Sequence, residues 1–147
     1  MTKDIREIRR RAHLSQQQLA ERSGVAQPNI AAYETGRRIP SEAMVNRLTL
    51  AARPLPHEAL AAHRSELLGL AESFGLTNLR VFGSVARGND GPGSDLDLLA
   101  TRAPDVGLLS IAMFSEEASK LLGVEVDVVT DGGLSSDHEI MRTAVLA

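Results

Sequence analysis

The stretch VFGSVARGNDGPGSDLDLLAT (residues 81–101) decides the reading of this chain. An apolar run ends at Val81-Phe82, breaks into Gly83-Ser84, passes through a glycine-rich loop and resumes as Asp95-Leu96-Asp97-Leu98-Leu99. In a strand, residues i and i+2 face the same side. Asp95 and Asp97 therefore point together, and Leu96 and Leu98 point into the opposite, buried face. Two carboxylates that close repel unless a cation lies between them or one is protonated. Mg²⁺ suits such an oxygen-only site, because it takes few carboxylates and leaves room for substrate phosphates. Gly83-Ser84 follows a strand and opens a short turn, where backbone N–H groups and a hydroxyl can cradle a phosphate. Arg87 adds a phosphate clamp.

A third carboxylate is expected from a neighbouring strand. VEVDVVT (124–130) alternates Val124, Val126 and Val128 on one face with Glu125 and Asp127 on the other. Around these strands, residues 58–74, 106–122 and 135–146 read as helices, with Leu60, Leu67, Leu68, Ala71 and Phe74 as the buried stripe of the first. The order α-β-β-α-β-α implies a small α/β (α+β) core with a short mixed sheet and helices packed on it.

Residues 1–53 read differently, as four short helices. Ile5, Ile8 and Ala12 keep helical spacing. LSQQQLAERSG (14–24) offers Ser15 as N-cap with Gln18 three residues on, and Gly24 as the stop. AQPNIAAYETG (26–36) has Pro28 in its first turn, and SEAMVNRLTLAA (41–52) starts at Ser41, with Met44, Val45 and Leu48 inward. Leu19, Ala20, Val25, Ile30 and Tyr33 are expected to pack the middle pair together. ARPLPH (52–57), with two prolines two residues apart, marks a boundary. The expected division is a helical domain over 1–53, a linker and helix start over 54–63, and the α/β domain over 64–147.

Composition agrees with two modules. The 147 residues are 43% hydrophobic and 24% charged, which is globular. Residues 1–53 carry a net charge of +5 and residues 54–147 a net charge of −8, which combine to the overall −3. A polyanion is the natural partner of the first half. The absence of cysteine removes disulfides and thiolate metal sites. His13, His57, His63 and His138 are scattered and show no ligand spacing. No apolar run reaches the roughly 18–20 residues of a membrane span, and MTKDIREIRRR lacks a signal-peptide core, so a cytoplasmic protein with no membrane partner is expected.

Two resemblances attach to these motifs. LSQQQLAERSGVAQPNIAAYETGRRIPS resembles the phage-repressor/Cro-type (XRE) helix-turn-helix over about residues 4–52. That resemblance implies operator DNA as partner, read in the major groove by the second helix of the motif. It places Gln27, Pro28, Asn29 and Ala32 towards the groove, Gln16 and Gln17 at the phosphate backbone, and Arg37 and Arg38 as further phosphate contacts. Ala26 stands where the family often has a capping Ser or Thr. One copy covers a half-site, so a homodimer, or a hetero-oligomer with a partner, is expected.

The second half resembles the minimal nucleotidyltransferases of the DNA polymerase β superfamily over about residues 64–147. Gly83-Ser84, ten intervening residues and Asp95-Leu96-Asp97 match that family's signature spacing. The resemblance implies transfer of a nucleoside monophosphate from an NTP, ATP foremost, with one or two Mg²⁺ ions. Asp95, Asp97 and Asp127 are then the metal-holding and catalytic residues, and Gly83, Ser84 and Arg87 the nucleotide-binding ones. It also implies an antitoxin that adenylylates a partner toxin, commonly a HEPN-type ribonuclease, and represses its own operon. Two other functions stay open on the residues: an antitoxin that neutralises by binding alone, and a stand-alone transferase acting on tRNA. The −8 charge speaks against the latter.

Overall fold

A computed structural model describes residues 4–135 and 137–147. The chain divides into two units, residues 1–54 and 55–147, each with its own core.

The first unit is four helices: α1 (Ile5–Arg11), α2 (Gln16–Ser23), α3 (Gln27–Glu34) and α4 (Glu42–Ala51). Their ends follow from local chemistry. Ser15 and Gln18 form a full capping box at the start of α2, and Gly24 stops the helix with φ +73°. Ser41 caps α4 by accepting from the Met44 N–H. Ala26 leads α3 with no side-chain cap, as the sequence implies, and Pro28 occupies the first turn. Leu19, Ile30 and Leu48 are fully buried; Ala20 and Val25 are buried beside them, and Tyr33, Met44 and Val45 pack at the edge.

An ion cluster crosses this unit. The Glu34 side chain is wholly buried and accepts from Arg9 at 2.8 and 2.9 Å and from Arg6 at 3.3 Å. Burial alone would raise its pKa. Hydrogen bonds from Arg9, Gln16 and Arg6 and the Arg9 charge outweigh burial and hold the carboxyl below its usual value.

The second unit opens with α5 (Pro56–Ser73), in which His63 leaves helical geometry. The helix expected from residue 58, within the linker and helix start over 54–63, begins at Pro56. Strand β1 (Leu76–Phe82) follows, then a single turn α6 (Gly83–Ala86), β2 (Leu96–Arg102), α7 (Leu108–Leu122) and β3 (Val126–Thr130). A 3₁₀ turn (Asp131–Gly133), α8 (Glu139–Thr143) and β4 (Val145–Leu146) close the chain. The sheet order is β3-β2-β1-β4, with β2 and β3 parallel and the other pairs antiparallel. Among the described residues, no helix is long and apolar enough to cross a membrane.

Leu96, Leu98, Ala100, Val81 and Val126 turn one sheet face into the core, where Leu67 and Ala71 of α5 and Phe114 and Ala118 of α7 meet them. Fully burying each such large side chain stabilises the fold by about 1.5–3 kcal/mol.

Three expectations are corrected. Leu68 is 41% exposed, one position off the α5 stripe. LRVFG (79–83) reads as a strand, but β1 begins earlier, at Leu76, because a register shift between Thr77 and Arg80, with Asn78 at φ 50°, lets pairing resume beyond the irregularity. The expected closing helix over 135–146 shrinks to Glu139–Thr143, since Val145 and Leu146 pair with β1 instead. Ser136, within that stretch, lies outside the described residues.

Glu34→Gln leaves the Arg9 guanidinium without its anion, and we expect a loss of about 3 kcal/mol in the first unit at neutral pH. A depressed carboxylate stabilises above its ordinary pKa, 4.5 here, and that contribution fades as pH falls through the lowered value. Acid unfolding followed by circular dichroism checks both points: the wild-type curve steepens below that pH, and the variant's is flatter.

Candidate active site and helix-turn-helix surface

Strand register builds the site. Parallel pairing sets Asp97 of β2 directly beside Asp127 of β3, on the sheet face opposite Leu96 and Leu98. Antiparallel pairing sets Phe82 across from Asp97, so Gly83, the next residue, arrives at the same place. Gly83 has φ +73°, and a Cβ there would lie 2.3 Å from Asp97 Oδ2. Glycine is required twice over: by the left-handed backbone and by the carboxylate against it.

Side chains of α7 fix where β3 starts. The Ser115 hydroxyl donates to the Val126 carbonyl, and the Val126 N–H donates to Ser119 Oγ at 3.0 Å. The Leu96 N–H donates to the Glu125 carbonyl at 2.8 Å, which locks the two strands together just ahead of the aspartates.

Electrostatics gather the remaining residues. Burial pushes the Asp97 carboxyl up, and the charges of Asp127 and then Asp95 push it further; only Arg87 opposes them. Asp95, Asp97, Asp127 and Arg87 therefore share one field. Among the described residues, no three His, Cys, Asp or Glu side chains already form a set that could hold a metal ion. The parallel register sets Asp97 beside Asp127, and a set of carboxylate oxygens suits a hard divalent cation with open positions for phosphate oxygens.

A further carboxylate makes an instructive contrast. Asp131, four residues beyond Asp127, accepts from the Thr101 hydroxyl and from Arg80, each at 2.6 Å. Those contacts hold it well below the usual range, with the Thr101 bond the larger influence. Asp131 is thus neutralised within the protein, whereas Asp97 is not.

In the first unit, the predicted DNA-facing residues are partly engaged with one another. Gln27 Nε2 donates to Gln16 Oε1 at 2.7 Å, joining the first residues of α3 and α2, and Gln16 also bonds Glu34. Arg38 Nη1 donates to Asn29 Oδ1 at 3.1 Å. Gln17, Pro28 and Arg37 are exposed. Ala32, expected towards the groove, is 6% exposed.

A nucleotidyltransferase domain model matches residues 65–144. The chain belongs to the nucleotidyltransferase domain family. A helix-turn-helix model matches residues 5–51, so this nucleotidyltransferase carries a helix-turn-helix domain in front of its transferase fold. Its relatives include the protein adenylyltransferase MntA of Thermococcus cleftensis, 38% identical over 77 residues, a match covering 52% of this chain and 75% of that one. A solved structure provisionally described as a minimal nucleotidyltransferase is 39% identical, with a TM-score of 0.56, covering 62% of this chain and 95% of the other. A toxin–antitoxin crystal structure with AMP-PNP shares the fold at 17% identity and a TM-score of 0.50, over 56% of this chain and 69% of the other.

Nothing in the sequence alone singles out Ser115, Ser119 or Asp90. None carries a motif; Ser115 and Ser119 share a helical spacing, which reads equally well as a solvated face.

Two outcomes are expected of this geometry. A carboxylate with a raised pKa penalises the folded state above its ordinary value of 3.8, so Asp97→Asn should raise Tm at neutral pH in EDTA and should abolish any rise of Tm caused by Mg²⁺. Differential scanning calorimetry reads both. Gly83→Ala should cost about 1–2 kcal/mol from the positive φ. By displacing the Asp97 carboxylate it should also cut nucleotidyl transfer about 100-fold, measured as pyrophosphate release.

Proposed function

We propose that this chain is an antitoxin that transfers AMP from ATP to a partner toxin in a Mg²⁺-dependent reaction, and that its first domain binds the operator of its own operon. The observation that carries the transferase reading is the placement of Asp97 beside Asp127 in adjacent strands, with Gly83 packed against Asp97. The name of the Thermococcus cleftensis relative supports a protein as acceptor. The toxin–antitoxin fold relative, crystallised with an ATP analogue, supports a toxin as that protein.

In this reading the Gly83 and Ser84 amides, the Ser84 hydroxyl and the Arg87 guanidinium hold the triphosphate. Asp95, Asp97 and Asp127 hold the divalent cation. When bound, the cation supplies positive charge for the attacking and leaving oxygens of the phosphoryl transfer. The acceptor hydroxyl oxygen forms a bond to the α-phosphorus, the bond to the pyrophosphate oxygen breaks, and Asp127 takes the hydroxyl proton. Acceptor specificity is left to the partner toxin. The partner toxin is expected to be of the HEPN ribonuclease type. A dimer, or a hetero-oligomer with the toxin, would supply the second half-site reader.

Incubation with ATP, Mg²⁺ and the protein encoded beside it should add the mass of one AMP to that protein, and Asp97→Asn should not. Full neutralisation of the toxin by Asp97→Asn would instead favour an antitoxin that acts by contact alone.

On the DNA side, Gln27→Ala should weaken operator binding by about 1–3 kcal/mol and leave non-specific binding in place. Arg37→Ala should weaken both and lower the salt dependence. Gel shifts on operator and scrambled DNA check this, and an unshifted operator with wild-type protein would remove the repressor role.

A further inference from the structure

The loop from Gly83 to Asp95 joins the phosphate-binding turn to the first aspartate, and it is folded mostly upon itself. At one end the Asn89 N–H donates to the Ser84 carbonyl at 3.0 Å. At the other, the Ser94 N–H donates to the Gly91 carbonyl at 3.0 Å, and the Gly91 N–H donates to Ser94 Oγ at 2.9 Å. A Cβ added at Gly88 or Gly91 would meet nothing, so no neighbour grips the loop at those points.

Asp90 lies between the two turns and does reach out of the loop. Its side chain is 2% exposed, although the loop is on the surface. Asp90 Oδ2 accepts from the backbone N–H of His57 at 3.0 Å and lies 2.9 Å from His57 Nδ1. His57 is the second residue of α5. Pro56 before it has no N–H to donate, and Leu55 at the N-cap makes no side-chain cap bond. The carboxylate thus serves as the missing cap, delivered from 33 residues along the chain, at the end of the helix where negative charge is favoured. Burial acts to raise the Asp90 carboxyl, but the bonds from His57 outweigh it and hold the group ionised. The anchor is firm, because α5 buries Pro56, Ala59 and Leu60 just beyond the contact.

We propose that Asp90 is a positioning residue of the transferase site: by capping α5 at His57, its carboxylate holds the loop that carries Arg87 and Asp95 in its nucleotide-binding arrangement. Asp97 and Asp127 are fixed by strand pairing, whereas Arg87 and Asp95 lie outside the strands and depend on the loop's path. The proposal rests on the transferase reading and adds a residue that touches neither nucleotide nor acceptor.

The test uses the full chain as wild type, Asp90→Ala, Asp90→Asn and His57→Ala, with Ala118→Gly as a core-destabilised control. Isothermal titration with a non-hydrolysable ATP analogue and Mg²⁺ should show Kd rising about tenfold in Asp90→Ala. The same variant should keep most of its kcat at saturating ATP. Asp90→Asn retains an acceptor for the His57 N–H and should recover most of the affinity. His57→Ala keeps that N–H and should stay close to wild type. Amide hydrogen exchange without ligand should quicken at residue 57 and over 88–95 in Asp90→Ala only.

The proposal is overturned if Asp90→Ala binds the analogue as wild type does, or loses no more affinity than Ala118→Gly. Wild type that binds no analogue would instead count against the transferase reading. Exchange would still decide the positioning claim, and unchanged rates over 88–95 in Asp90→Ala would refute it.

Discussion

The transferase unit depends on one constraint, the parallel register of β2 and β3. A parallel pair needs a crossover between its strands, and α7 supplies it. Side-chain alternation then decides which residues face the helices. Leu96, Leu98 and Ala100 of β2 and Val126 of β3 enter the core, so Asp97 and Asp127 must emerge together on the other face. Slipping either strand by one residue would put an aspartate into the apolar core. The hydrophobic effect that stabilises the sheet thereby enforces the repulsion that defines the site.

That repulsion is left standing. Asp131, Glu34 and Asp90 are each satisfied by hydrogen bonds or cations within the protein, and each carboxyl is held below its ordinary value. Asp97 is the contrary case: burial and two carboxylate neighbours raise it, and Arg87 offsets them only partly. Among these partly buried acids, Asp97 alone is left without an internal hydrogen-bond donor or cation that outweighs its burial. Gly83 shows the same economy of space, since its missing Cβ leaves the Asp97 carboxylate room against the Gly83-Ser84 turn.

Much of this was legible in the sequence because it is local. The Ser15–Gln18 capping box, the Gly24 stop, the Gly83-Ser84 turn and the Leu96/Leu98 alternation each rest on residues a few positions apart, whereas Asp95, expected within the strand, lies one residue ahead of β2. The departures all involve partners distant in sequence. Val145 and Leu146 become a strand because β1 offers an open edge, which no local propensity announces. Leu68 departs from its expected place because a helical face is known only to within about one position until its neighbours are known. Asp90 in a glycine-rich loop reads as a solvated turn residue, and His57 as a scattered histidine, until the fold sets one against the other.

The central claim is that carboxylates from two strands share one divalent-cation site beside Gly83-Ser84. Paramagnetic broadening of backbone amides by substoichiometric Mn²⁺, with Mg²⁺ as competitor, tests it most directly. The account predicts broadening centred on residues 83–84, 95–97 and 126–128, reversed by Mg²⁺ and absent in Asp97→Asn. Broadening centred elsewhere, or persisting unchanged in Asp97→Asn, would contradict it.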